Sequence, residues 1–473
     1  MPYTTSRLMP SCPAAQPCLS YPLSVANANG GSTWEANCLN VCHRLLTCAR
    51  SFGTIRTVSK KEKNSFIESA TMKLIKRDDY LARLGAVEGT PDIKILSGMR
   101  RVGKSKLLEE TARRLRRKGS KVNVIYADLS LLKNERLKEY HKLHQWVESH
   151  SRKGCRNCVM IDEVQMCPGF ELVVNSLHAE TSCRYDIYLT GSNAFLLSSD
   201  LTTLFTGRHF ELKTYPFSFR EFRRYFSSEK DIDRAFDRYV VEGGLSGSYL
   251  YKDESSRTAY LKEVYQTILR RDIARRFNIS DTTVIERLSE FLMDNVGNVT
   301  SANNLADELV LRNVATNHVT VGRYLDYLAD AFLYVEAKRY DVRGKKYMEK
   351  SGKFYMMDHA LRYAVLGRRN MDYGHVYENI VFIELLRRGY EVYVGKLYKK
   401  EIDFVAMKGS EKMYIQVSDD ISSRKTIDRE LEPLLKIRDA YPKLLIARTR
   451  HDETSMDGVR IMDLARWLDG NIG

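Results

Sequence analysis

The sequence predicts an α/β fold for its first half, a doubly wound parallel sheet with the ligand at the carboxyl ends of the strands, and three stretches carry that prediction. Gly98-x-x-x-x-Gly103-Lys104-Ser105 fits the phosphate-binding loop at every fixed position. It stands after the apolar residues Ile93, Ile95 and Leu96 and before Leu107, Leu108, Thr111 and Leu115 at helical spacing, which is the strand, loop and helix that the motif requires. Farther on, Cys158-Val159-Met160-Ile161 reads as a buried strand closed by two acids, Asp162 and Glu163. A third run, Tyr185 to Leu189, also ends in polar residues, Thr190 to Asn193.

Each element has a chemical reason. Gly98 and Gly103 let the backbone turn its N–H groups toward phosphates at the positive end of the following helix dipole. Lys104 reaches the β- and γ-phosphates, and Ser105 is a ligand for magnesium. The whole loop, Gly98, Met99, Arg100, Arg101, Val102, Gly103, Lys104, Ser105 and Lys106, is therefore the candidate site for ATP with Mg2+. Its helix ends in a basic stretch, Arg113 to Lys118, with Gly119 as the stop. Val122 to Tyr126 is a second strand ending at Asp128, and Leu137 to Val147 a polar helical stretch. The strand from Cys158 carries Asp162 to the carboxyl edge of the sheet, where it holds magnesium through water, and sets Glu163 to polarise an attacking water as a general base. The tip of the 185–190 strand is expected between these two motifs. There Ser192 or Asn193 either senses the γ-phosphate and orients the water or only turns the chain. A helix marked by Leu196, Leu197, Leu201 and Leu204 ends at Gly207, before a strand from His209 to Leu212. Arg208 between them is a candidate contact for a γ-phosphate, in its own subunit or a neighbour, with a surface ion pair as the competing explanation.

Three blocks together resemble the prokaryotic AAA-type ATPases described as ATP-binding proteins. They are Gly98-Met-Arg-Arg-Val-Gly-Lys-Ser, then Ile161-Asp-Glu-Val-Gln-Met-Cys-Pro-Gly-Phe, then Leu189-Thr-Gly-Ser-Asn with Leu204-Phe-Thr-Gly-Arg and Tyr215-Pro-Phe-Ser-Phe-Arg-Glu-Phe. The resemblance runs from Met72 almost to the end and implies a P-loop ATPase domain over residues 72–225. Its opening, Met72-Lys-Leu-Ile-Lys-Arg-Asp-Asp-Tyr-Leu, is similar to the usual start of such proteins.

Residues 226–280 read as a charged helical linker or lid, broken at Glu242-Gly243-Gly244-Leu245. In the resembling family a similar turn, followed by long helices, opens the second half. Residues 281–345 suggest a winged helix: a helix from Val284 to Met293, one capped by Ser301, and one capped by Asn317. On the third, Val321, Tyr324, Leu325 and Leu328 line one face and leave Thr320, Arg323 and Tyr327 outside, with Phe332 to Tyr340 as the wing. Such a module reads DNA, docks protein or acts as a lid, and Asp326 and Asp330 oppose phosphate contact. Residues 346–473 place Tyr377-Glu378-Asn379 on a helix before strands at 390–394, 401–406 and 413–418, the layout of restriction-endonuclease-like folds, to which the resemblance also points. Nuclease chemistry of that kind needs an acid on one strand and acid-x-Lys on the next. Asp403 is present, but the next strand reads Gln416-Val417-Ser418. A site of Glu378, Asp403 and Gln416 can hold a divalent ion, yet without the lysine a non-cleaving interaction domain is the expectation.

Composition bounds these readings. With 43% hydrophobic and 29% charged residues the chain is globular, and no uncharged apolar run is long enough to span a bilayer, so a cytoplasmic protein without a membrane partner is expected. A formal charge of +15 favours a polyanionic partner without naming one. Residues 1–71 stand apart: five of the ten prolines fall in the first 22 positions, five of the nine cysteines in the first 48, and no aspartate precedes Asp78. They are read as a disordered or mis-annotated extension, with translation starting at Met72. The expected function is an ATPase switch acting on a protein or DNA partner. The competing classes are a DNA-cleaving enzyme and, last, a small-molecule P-loop kinase.

Overall fold

The apolar run before the phosphate loop is β1 (Ile93–Ser97), and every residue in it is buried. The computed structural model describes residues 74–181, 183–191, 205, 207–367 and 372–470. Among them β1 joins β2 (Val122–Asp128), β3 (Arg156–Asp162), β4 (Arg184–Thr190) and β5 (His209–Lys213) in a five-stranded sheet ordered β2-β3-β4-β1-β5. All four pairings are parallel. Strand side chains alternate between faces, and both faces here are apolar, so each needs a helical cover. Ile93, Ile95, Val159, Ile161, Ile187 and Leu189 pack under the helices Tyr140–His150 and Phe170–Ala179. Leu96, Cys158, Met160, Tyr188 and Leu212 pack under the helices α1 (Asp78–Ala86) and α2 (Lys104–Arg116). The doubly wound expectation is met, and β4 lies between the loop strand β1 and the acid strand β3.

Beyond β5 the capping box of Ser218 and Glu221 starts the helix Phe219–Tyr225, and Asp231 caps Ile232–Glu242. The expected break follows. Gly243 has φ +66°, and a Cβ there would stand 2.2 Å from Asp358 Oδ1, so only glycine lets the chain pass. Gly244 donates its N–H to Asp358 Oδ2 at 2.8 Å and accepts from the Phe217 N–H at 2.8 Å, which ties the two halves of the chain together. The helix Glu254–Thr267 continues into a π-helical turn, Ile268–Ala274.

Ser301 and Asn317 cap α-helices at Ala302–Leu311 and His318–Asp330, each accepting from a backbone N–H three residues on. On the second, Val321, Leu325 and Leu328 are buried. Tyr327, expected to face outward, instead stacks on Phe277 with ring centroids 3.6 Å apart and planes within 6°. The segment expected as the wing, Phe332 to Tyr340, lies largely in a strand that is part of a larger sheet. Residues 334–341 (β7) and 346–356 (β8) form an antiparallel pair, and β7 pairs in parallel with Glu391–Leu397 (β9). With the short Val299–Thr300 (β6) on β8, and β10 (Lys400–Lys408), β11 (Glu411–Ser418), β12 (Lys443–Ala447), β13 (Thr454–Met456) and β14 (Val459–Asp463) beyond β9, they make one nine-stranded sheet. A division at residue 345 therefore falls in the turn of a hairpin whose strands belong to the same sheet. The helix Tyr373–Arg387 packs on this sheet, burying ten of its residues from Val376 to Leu385. A continuous apolar core runs from Met99 and Val102 of the phosphate loop through these helices to Trp467 and Leu468 near the end of the chain.

Candidate nucleotide site

Gly98 carries φ +134°, and a Cβ on it would lie 2.2 Å from the Thr214 carbonyl oxygen, so the loop can leave β1 at this angle only without a side chain. Gly103 (φ +94°) and Arg101 (φ +70°) complete the turn. Met99 and Val102 are fully buried and anchor it from below. Lys104 opens α2 and is 5% exposed. Its ammonium donates to the carbonyls of Gly98 at 2.7 Å and Met99 at 3.0 Å, curling the loop around itself. Burial pushes this amine down to about 8, against the pull of the Glu163 carboxylate. Lys106 lies outside, paired to Glu109 at 2.8 Å.

Asp162 ends β3, 1% exposed, and its Oδ1 accepts from Ser105 Oγ at 3.1 Å. Thr190 at the tip of β4 also donates to that oxygen, and Tyr126 donates to Oδ2 at 3.5 Å. Burial nevertheless raises the carboxyl above its ordinary value. A hydroxyl beside a buried carboxylate is the donor set a hard, oxygen-seeking cation takes, so Ser105 and Asp162 fit magnesium. Glu163 sits in the left-handed region (φ +55°), its N–H donating to Thr190 Oγ1 at 3.2 Å and its Oε2 accepting from Gln165 at 2.6 Å. Thr190 thus bonds the side chain of Asp162 and the backbone of Glu163. Ser192 and Asn193, candidates for sensing the γ-phosphate or orienting the water, lie outside the described residues.

For Arg208 the fold bears on one of its three candidate roles, the γ-phosphate of its own chain, and leaves a neighbour's γ-phosphate and a surface ion pair open. Its carbonyl accepts from the Ile93 N–H, and the next residue, His209, is in register with Ile93, so Arg208 stands at the amino edge of the sheet. The loop leaves β1 at the carboxyl edge, roughly 15 Å away at strand rise. Contact with a γ-phosphate in its own chain is excluded by that geometry.

Two long-range contacts hold the loop, one from Arg77 outside the motif and one from Arg100 within it, and neither partner has a local sequence signal. Arg77 is buried, donates to Glu221 at 2.7 and 2.9 Å, and reaches the carbonyls of Val102 at 3.1 Å and Tyr215 at 3.0 Å. Arg100 forms a two-pronged pair with Asp272 of the π-helical turn, Nε to Oδ2 at 2.8 Å and Nη2 to Oδ1 at 2.5 Å. π-turns are rare and recur at functional positions.

With this geometry, comparison with known proteins becomes informative. Residues 90–223 match the family described as an AAA domain, and residues 233–372 match a domain of unknown function, DUF8612. A protein of Haemophilus influenzae described as uncharacterized is 36% identical over 400 residues, covering 84% of this chain and 98% of its own. The chain belongs to that protein's family. A Methanocaldococcus jannaschii protein, also described as uncharacterized, is 27% identical over 339 residues, 69% of this chain and 74% of its own. Among solved structures, Aeropyrum pernix ORC1 in complex with DNA is 12% identical, with a TM-score of 0.28, over 67% of this chain and 95% of that one. The replication initiator DnaA bound to AMPPCP and single-stranded DNA is 13% identical, also at 0.28, over 58% and 93%. Such distant likenesses carry no inference about partners. This family member therefore has an AAA-type ATPase domain on a parallel α/β sheet. No helix among its described residues is long and apolar enough to cross a membrane.

Proposed function

We propose that the protein is a magnesium-dependent ATPase whose nucleotide state switches the carboxy-terminal half between two ways of engaging a partner. The Arg100–Asp272 pair carries this reading. Arg100 lies in the loop that would receive the phosphates, while Asp272 lies in the helical segment beyond the AAA domain, so a phosphate competing for Arg100 is felt directly in that segment. Lys104 would turn from the loop carbonyls to the β- and γ-phosphates, and the backbone N–H groups from Gly98 onward would line them. Ser105 and Asp162 would hold the magnesium ion, which when bound neutralises charge on the phosphate oxygens. Glu163 would accept the proton of the attacking water, steadied by Gln165 and Thr190.

The order helix, short strand, helix, helix, hairpin over residues 283–356, with β6 paired to β8, supports a winged helix. A protein partner suits it better than DNA, because Tyr327 is taken up by Phe277 and Asp326 is exposed on the same helix. The helix with Glu378 and the strands with Asp403 and Gln416 support a restriction-endonuclease-like terminal region that does not cut. Gln416 is turned away from nuclease chemistry, with Oε1 accepting from the Asp403 N–H at 3.4 Å and Nε2 donating to Glu430 at 3.2 Å.

Hydrogen exchange tests the switch. Glu163→Gln saturated with ATP should change exchange over residues 254–294 relative to the nucleotide-free protein, and adding Asp272→Asn should abolish that change. Exchange in this segment that ignores ATP would refute the coupling.

A further inference from the structure

The terminal region holds a lysine among its acids, supplied by β8 and not by the strand of Gln416 where the motif would carry it. Lys353 lies in the middle of β8, paired in register to Val299 on one side and Ala337 on the other, and its side chain is 4% exposed. Its ammonium reaches across to two carboxylates from other elements, Glu378 Oε1 on the helix Tyr373–Arg387 at 2.8 Å and Glu401 Oε1 on β10 at 2.6 Å. Asp403, two residues after Glu401 on β10, is near enough for its charge to act on Lys353. The pairing of β10 with β9 shifts register between Ile402 and Val405, and such an irregularity re-aims side chains. Asp403 is buried, with Oδ2 accepting the Val417 N–H at 2.8 Å. Glu378 is closed on its other sides by the Tyr355 hydroxyl and by His375 Nδ1 at 3.5 Å.

Glu378 on its helix and Asp403 on β10 are buried, Glu401 is 35% exposed, and buried carboxylates brought together need a cation among them, because unpaired buried charge is strongly destabilising. Burial favours the neutral acid at Asp403, and the Glu378 charge adds to it, so this carboxyl is pushed well above its ordinary value. At Glu378 the same burial is outweighed by Lys353, His375 and Tyr355, and the group is held below its ordinary value. Lys353 already occupies Oε1 of both Glu378 and Glu401, so a divalent ion bridging those two oxygens would have to displace the ammonium.

We infer that the Lys353 ammonium is the resident cation of the Glu378, Glu401 and Asp403 cluster, occupying the position of a divalent metal ion and fastening the β7–β8 hairpin to the terminal sheet. The cluster is then metal-free by construction, and removing the lysine charge converts it into a site for a hard divalent cation. The inference rests on the cluster alone and stands whether or not the protein hydrolyses ATP.

The test uses the full chain without nucleotide, in an Asp162→Asn background so that the phosphate loop contributes no metal ligand, with Mn2+ as the probe read by electron paramagnetic resonance and thermal melting. The parent protein should take up no Mn2+ at sub-millimolar concentration. Lys353→Met, which keeps the apolar stem, should melt lower without metal, regain stability in Mn2+, and bind Mn2+ at least roughly tenfold tighter than the parent. Lys353→Arg should behave as the parent. If Lys353→Met is insoluble, refolding should succeed with Mn2+ present and fail with an ionic-strength-matched monovalent salt. Mn2+ binding to the parent that Asp403→Asn abolishes would overturn the inference, and so would a Lys353→Met protein that gains nothing from Mn2+ in either format.

Discussion

Arg100 and Asp272 are 172 residues apart in sequence and joined by two parallel hydrogen bonds, the first from the phosphate loop and the second from a π-helical turn. Asp272 is 2% exposed at its side chain and Arg100 18%, so the pair is shielded from water without being sealed. Both its geometry and its position between the AAA domain and the following helices give each mutation here two readouts. Asp272→Asn should lower the unfolding free energy by about 3 kcal/mol, because Arg100 loses its charge partner in a largely desolvated place. It should also leave ATP binding intact or tighter, since Arg100 is then free for phosphate. Urea denaturation and nucleotide titration of the same protein check the two halves. Weakened ATP binding would show that Asp272 supports the bound state.

Lys104→Ala and Glu163→Gln should separate binding from turnover. Removing the ammonium loses charge-assisted hydrogen bonds to phosphate and should weaken ATP binding by about tenfold to a hundredfold. Glu163→Gln keeps the shape of the site but cannot accept a proton, so turnover should fall by about a hundredfold or more with binding preserved. Fluorescent-nucleotide titration and phosphate release distinguish the two. Full turnover in the Gln variant would remove Glu163 from the mechanism.

The Lys104 amine, held down to about 8 by burial, makes nucleotide affinity depend on pH. Phosphate binds the protonated form and raises its pKa, so above the free value binding must take up a proton. Affinity should be level below about pH 7 and weaken as pH rises past about 8, approaching roughly tenfold per unit. Titrations between about pH 7.5 and 9.5, where ATP itself is fully ionised, isolate the lysine. Lys104→Arg stays charged throughout and should flatten the profile, whatever its absolute affinity.

How far the sequence carried this picture depended on how local each cause was. The loop, the acid pair and the five strands were legible because motif spacing and short-range alternation express them within a few residues. Ser301 and Asn317 were legible as caps for the same reason. The ion pairs of Arg77, Arg100 and Lys353 were not, although Arg100 itself was read as part of the loop, since each acts through a partner 144, 172 or 25 residues away, and nothing in a basic residue's neighbours names its distant acid. Tyr327 was misread because helical periodicity locates the face turned from its own core, while Phe277 arrives from the turn after the π-helical segment to cover it. For Arg208 only the contact within its own chain falls away, because a residue that precedes a strand of a parallel sheet stands at the edge opposite the phosphate loop.

Arg77 permits the sharpest division between stability and function. Its side chain and that of Glu221 are 6% and 10% exposed, so Arg77→Met leaves a carboxylate buried without its counter-charge and should cost about 3–5 kcal/mol in urea denaturation. Replacing both with methionine removes the stranded charge, and apolar pairs of similar volume commonly match a buried ion pair, so most of the loss should return. ATP affinity should not return with it. Arg77 also donates to the Val102 carbonyl, and that bond sets the far side of the phosphate loop independently of Glu221. The double variant is therefore expected to be folded, nearly as stable as the parent, and still impaired in nucleotide binding. Parent-like ATP affinity in that protein would show that the loop holds its shape through Gly98, Met99 and Val102 alone.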